Sequence, residues 1–383
     1  MAVFQDREKL SPAYVPSRLL HREREKNLLI SILRPSVEAS SGVSIARVQV
    51  VGGVGAGKTT LCIKVGQELT SQHRNLIHVY VNLRRFSGGK VGIYRYLVRQ
   101  VAEEVFSQSL AAEELLDNLL SYLRKTGVKL LITFDEADHH VRQSRGRDTV
   151  VYDFTRLQEF SAVRPLNVAG VVFVSRDQSF GGLLERAELS SLGVSVVKLE
   201  PYTKTQMEDI LADRVEEAFR KGAVSKEVLE YVADVACRPP HLGDVRFALD
   251  LLLYAGNLAE GRGLSRLEID DLRYVMAEMG HGLRSDDLAD LGLDEKAALL
   301  SVAKSLKASR KAYTTVEEVE KTYETVRELH SLPVKEIRRA LRNLFDKGLV
   351  ELADGRVALS GLDAKRLAEF LEKDLKGFSH GSG

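Results

Sequence analysis

The sequence predicts an α/β chain, with a parallel-sheet core followed by an all-helical segment and a C-terminal winged-helix unit. Three observations carry this. Apolar, strand-length runs (IARVQVV, LIHVYVNL, VKLLITF, VAGVVFV and VSVVKL) alternate with helix-like or loop segments, the pattern of a parallel sheet covered by helices. Beyond Glu200 the strand-like runs stop, and Thr205–Ala259 reads as helical throughout. The last ninety or so residues give three helical segments closed by a hairpin, VELADGRVALS, the order of a winged helix.

The N-terminal stretch YVPSRLLHREREKNLLISIL enters through a proline and becomes helical, with Leu28, Leu29, Ile32 and Leu33 at helical spacing. RPSVEASSGVS is small and polar and predicts a loop. IARVQVV runs into a Gly-rich turn, and LCIKVGQEL resumes helical periodicity, so strand, turn and helix follow in the order of a phosphate-binding unit. Composition shifts near residues 200 and 285 divide the chain into a core at 1–200, a helical lid at 201–285 and a winged helix at 286–383. In the last segment Asp294 is expected as the N-cap of DEKAALLSVAKSLK, and Thr315 to Glu318 form a capping-box pattern. A third helix is expected from about Pro333 to Gly348, and Asp354-Gly355 turns the hairpin.

Composition excludes several classes. Lys plus Arg number 55 against 54 for Asp plus Glu, so the molecule as a whole is not a polyanion binder and any nucleic-acid contact must come from local basic clusters. No apolar run is long enough to span a membrane, and the N-terminus lacks a secretion signal, which predicts a cytoplasmic protein. Cys62 and Cys237 are read as buried thiols.

VVGGVGAGKTTL contains G-x-x-x-x-G-K-[ST]. Gly53, Val54, Gly55, Ala56, Gly57, Lys58, Thr59 and Thr60 are expected to cradle phosphates: the glycines let backbone N–H groups point inward, Lys58 faces the β- and γ-phosphates, and the Thr59 hydroxyl can ligate Mg²⁺. Some eighty residues on, LLITFDEADHH ends a strand in Asp135-Glu136. Asp135 suits the metal, and Glu136 suits the polarisation of an attacking water, which argues for ATP hydrolysis to ADP rather than binding alone. His139-His140 is not read as a metal pair, because adjacent residues point in different directions.

The third helix of the last segment separates its faces. Ile337, Ala340, Leu341, Leu344 and Phe345 fall on one side, and Lys335, Arg338, Arg339 and Arg342 on the other. Such a helix can enter a major groove with its arginines on phosphates or guanine edges, and Arg356 in the hairpin can touch adjacent backbone. The bland reading, a solvated basic face or a protein-docking module, fits the spacing as well.

Taken together these motifs resemble an AAA+ ATPase, and within that class the archaeal origin-recognition initiators, relatives of the eukaryotic origin-recognition and cell-division-cycle loading proteins. YVPSRLLHRERE is similar to their N-terminal box. LEPYTKTQMEDILADRVEEAF is similar to the stretch where a Tyr and an Arg border the nucleotide, here Tyr202 and Arg214. GDVRFALDLLLYAGNLAE resembles the sensor-2 helix, with Arg246 at the position that reaches the γ-phosphate. The resemblance covers nearly the whole chain. It implies a P-loop AAA+ core, ATP/ADP and Mg²⁺ as cofactors with slow, regulatory hydrolysis, and binding of double-stranded origin DNA. It also implies recruitment or loading of the replicative helicase, a paralogous initiator as a further partner, a monomer in solution and a nucleoid-associated location. Arg84, Arg85 and Lys90 lie where initiators insert a helix that contacts DNA.

Two positions depart from the family pattern. Arg176 stands where an Asn normally orients the attacking water, and Ala187 occupies the arginine-finger slot, beside Arg186. The rivals are a signalling ATPase, whose winged helix is a regulatory or docking module, and a branch-migration motor, which needs a dependable arginine finger.

Overall fold

A computed structural model describes residues 2–39, 45–86, 89–144, 149–160, 164–176, 182, 184, 189, 192–193, 195–276, 288, 291–309, 313–330, 332, 336–347, 349–353, 355–359 and 364–379. These fall into two compact units. One comprises residues 15–206 with 242–245; the other comprises 1–14, 207–241 and 246–383.

The first unit is built on β1 (Ala46–Gly52), β2 (Leu76–Asn82), β3 (Lys129–Asp135), β4 (Val168–Ser175) and β5 (Val196–Leu199), all parallel, in the order β2-β3-β4-β1-β5. Every residue of β4 is buried, as a central strand covered on both faces requires. Alternation divides the side chains. Ile132, Phe134, Val171 and Phe173 face a core shared with α3 (Lys90–Val101) and α4 (Ala112–Thr126), whereas Val48, Val50, Val172 and Val174 face α1 (Glu23–Glu38) and α2 (Lys58–Gln72). Registers Val51↔Ser175 and Phe134↔Phe173 align the C-terminal ends of β1, β3 and β4, so the loops that follow them open at one edge.

Two local expectations change here. Helix α1 continues through Pro35 to Glu38 instead of yielding to a loop. The bond that Pro35 cannot make would go to the carbonyl of the exposed Ser31, which water can serve, while Ser36 and Val37 are buried and hold the turn in place. Leu28 is exposed, the buried face being Leu29, Ile30, Leu33 and Val37.

The α/β core continues with α5 (Ala137–Gln143), α6 (Val150–Thr155) and α7 (Leu157–Phe160). The second unit begins its helical part with α8 (Lys204–Ala218), α9 (Lys226–Cys237), α10 (Val245–Gly261) and α11 (Ile269–Met276). The chain start is part of this unit. Phe4 packs on Phe219 with the rings tilted 33° and their centroids 4.8 Å apart, and Glu260 accepts the N–H groups of Val3 and Phe4 at 2.7 and 3.2 Å.

The same unit continues with α12 (Leu293–Ser309), β6 (Thr314–Thr315), α13 (Val316–Leu329), α14 (Ile337–Asp346), β7 (Val350–Ala353), β8 (Arg356–Leu359) and α15 (Ala364–Ser379). Three helices and a hairpin stand in winged-helix order, with Gly355 at positive φ (73°) in the hairpin turn and the Thr315–Glu318 capping box closed. β6 pairs with β8 as a third strand, and α15 packs on α12; neither was expected. Helix α12 starts at Leu293, so Asp294 lies inside its first turn. The Gly292 N–H is capped instead by Glu295 Oε2 at 3.0 Å. An acidic side chain in the first turn favours the helix's positive end without being the cap, which is why Asp294 reads like one.

Candidate nucleotide site and basic surfaces

Strand β1 delivers the chain to a turn at Gly53–Gly57, and α2 starts at Lys58. Gly55 and Gly57 sit at φ 68° and 89°; a Cβ on Gly57 would lie 2.8 Å from the Tyr202 hydroxyl, and one on Gly55 1.9 Å from the Asp244 carboxylate. Backbone conformation and close approach therefore both demand glycine. Lys58 Nζ donates to the carbonyls of Gly52 and Gly53 at 2.6 and 2.8 Å.

Arg22, which sequence reasoning did not single out, holds the loop. It is 3% exposed, lies 4.0 Å over the Tyr202 ring, and donates to the Ala56 carbonyl through Nε (3.3 Å) and Nη2 (3.1 Å) and to the Glu200 carbonyl through Nη2 (2.6 Å). One charge among the five in HREREK looks like the solvated face of a helix, and nothing in the pattern separates it from the rest. Burial raises the Tyr202 phenol, against the opposing charge of Arg22.

Thr59 Oγ1 and the Tyr80 hydroxyl both donate to Asp135 Oδ2, at 2.6 and 2.7 Å, and the Glu136 N–H donates to Oδ1 at 2.8 Å. Burial, reinforced by the Asp135 charge, pushes the Tyr80 phenol well above its ordinary range, so it remains a donor. Thr59 and Asp135 are an oxygen-only donor pair, the chemistry that Mg²⁺ takes. Among the described residues no group of three or more His, Cys, Asp or Glu could hold a metal.

Glu136 has a left-handed backbone (φ 59°), and its Oε2 lies 3.3 Å from Arg176 Nη2. The Arg176 N–H in turn donates to Asp138 Oδ2 at 3.4 Å. Asp138, buried and also not singled out, completes the acidic turn Asp135–Asp138; acidic residues at three of four successive positions are the signal that could have pointed to it.

In the other unit Arg214 is buried, 4.7 Å from the Tyr14 ring centroid and 3.5 Å from Glu217, and burial lowers its pKa. Arg246 is exposed on the first turn of α10, two residues after Asp244.

The basic positions divide into three groups. Arg338, Arg339, Arg342 and Arg356 are exposed, as are Arg84 and Arg85. Arg338 Nε lies 2.8 Å from Glu320, a pair that raises its pKa. Lys90 is turned inward, its Nζ 3.1 Å from Glu113 and 3.3 Å from Asp153, which removes it from the exposed set. The cause is Asp153, anchored by the Tyr94 hydroxyl at 2.5 Å. Lys335 and Arg186 lie outside the described residues. Helix α14 buries Ile337, Ala340, Leu341 and Leu344, whereas Phe345, expected on that face, is 47% exposed.

Residues 48–176 match an AAA domain, and residues 208–277 match the Cdc6 AAA+ ATPase-type lid domain. Both matches, and the relatives that follow, liken the chain to proteins of the Cdc6/ORC1 type. It is 28% identical over 355 residues to an ORC1-type DNA replication protein of Desulfurococcus amylolyticus, covering 91% of this chain and 87% of that one. Cdc6p from Pyrobaculum aerophilum superposes with a TM-score of 0.85 at 25% identity, covering 99% and 100% of the two chains. The Aeropyrum pernix ORC1 protein, solved in complex with DNA, gives 0.63 at 27% identity, over 97% of each. The match to an AAA domain implies nucleotide binding. No helix among the described residues is long and apolar enough to cross a membrane.

Proposed function

We propose that this chain is an ATP-dependent DNA replication initiator that binds duplex DNA at origins and helps recruit or load the replicative helicase, with ATP binding and slow hydrolysis acting as a switch. Backbone N–H groups of Gly53–Gly57 and the Lys58 ammonium take the β- and γ-phosphates, Lys58 exchanging its two carbonyls for charged oxygens. Thr59 and Asp135 would hold Mg²⁺. When bound, that ion neutralises charge developing on the phosphate oxygens. Glu136 accepts a proton from the attacking water, and Tyr202 borders the nucleotide. Arg84 and Arg85 add phosphate contacts.

The observation that carries the DNA reading is helix α14. Four apolar residues anchor it in a core, and Arg338, Arg339 and Arg342 stand exposed on the opposite side. The test is a nuclease footprint on candidate origins of the source genome at fixed salt, comparing wild type with an Arg338/Arg339/Arg342→Ala variant. Discrete protected sites that the variant loses are expected. Protection indifferent to these arginines would move the assignment to a protein-docking winged helix.

A further inference from the structure

Glu136 and Arg176 follow the ends of adjacent paired strands, which places their side chains side by side. Arg176 is gripped twice by the acidic turn, through its backbone N–H by Asp138 Oδ2 (3.4 Å) and through Nη2 by Glu136 Oε2 (3.3 Å). Asp138 is 2% exposed, and its other carboxylate oxygen has no hydrogen-bond partner among the described residues, so its anchoring role falls to Oδ2 alone. A guanidinium has five donors and no acceptor. Paired to Glu136, it occupies a carboxylate oxygen that would otherwise receive a water proton, and it offers no oxygen of its own to orient that water. The Arg176 side chain is 46% exposed, so the pair is light and reversible.

We propose that Arg176 is a positioning residue that acts as a brake, holding the Glu136 carboxylate in an ion pair that must open before the carboxylate can serve a water. This rests on the reading of Glu136 as the base. In the released state the water oxygen bonds to the γ-phosphorus as the bond to the β,γ-bridging oxygen breaks. ADP leaves with that electron pair, and the water's proton passes to Glu136. An amide at position 176 would leave Glu136 unpaired from the start.

The test is single-turnover ATP hydrolysis by the full chain with Mg²⁺, comparing wild type, Arg176→Gln, Arg176→Lys and Glu136→Gln, with nucleotide affinity measured in parallel using a fluorescent ATP analogue. Arg176→Gln is expected to hydrolyse about two- to fivefold faster, the weight of a half-exposed ion pair, with its ATP affinity unchanged. Arg176→Lys keeps the wild-type rate. Raising salt from about 0.05 to 0.5 M accelerates wild type and leaves Arg176→Gln flat, because only the paired form can be screened. An Arg176→Gln rate equal to or below wild type, at unchanged affinity, overturns the brake. Hydrolysis surviving in Glu136→Gln overturns the assignment of the base beneath it, and the two failures are read from different variants.

Discussion

Arg22 reaches two backbone carbonyls, that of Ala56 inside the phosphate loop and that of Glu200 just past β5. Replacing it with alanine leaves both carbonyls and the Tyr202 face without their partner. We expect Arg22→Ala to lower stability by about 2–4 kcal/mol in urea denaturation and to weaken ATP binding, because buried acceptors then lose bonds that water cannot replace. Arg22→Lys restores part of this, since a point charge lacks the planar fork; full recovery with lysine would contradict the account. At this scale the loop itself was legible: Gly-x-x-x-x-Gly-Lys-Thr and Asp135-Glu136 are residue types with few other uses in that order. Arg22 and Asp138 were not, because a charge that turns inward has the same letter as one that stays in water. Lys90 shows the converse, a basic residue beside glycines that a neighbouring carboxylate claims.

Helices and strands add constraints that single residues do not carry. His78 on β2 lies under α2, where a Cβ on Gly66 would fall 1.9 Å from its Nδ1, and its Nε2 is 3.0 Å from Thr133 Oγ1 on β3. Burial lowers its pKa to about 4, so the folded protein keeps it neutral. The unfolded chain protonates near the ordinary 6.5 and the folded one does not. Stability from this residue is therefore whole above about pH 6.5, falls as pH drops toward 4, and is lost by up to about 3 kcal/mol in total. Denaturation midpoints measured between pH 7 and 4 for wild type and His78→Gln should diverge in that window; parallel curves would refute it. The strands and the alternation of helices were readable because parallel sheets bury whole apolar runs. The end of α1, the start of α12 and helix α15 were not, since helix ends depend on which carbonyls water can reach and which faces find a neighbour.

Taken whole, the molecule carries a formal charge of only +1, so its long-range field gives DNA little reason to approach. Binding must then be concentrated in a few arginines, and its salt dependence should report their number. Removing Arg338, Arg339 and Arg342 together is expected to reduce the slope of log affinity against log salt by about 2–3, close to 0.9 per phosphate lost. An unchanged slope would place the contacts elsewhere. The two compact units also divide the chain in a way that its order conceals. Phe4 lies so close to Gly256 that a Cβ there would fall 2.3 Å from its ring, and Arg7 is 2.7 Å from Glu260. The first few residues thus serve as a plug and a clasp for the helical unit, far along the chain from their own neighbours. Trimming about ten residues from the start of the chain would spare the phosphate loop and leave a hole under α10, the helix that carries Arg246.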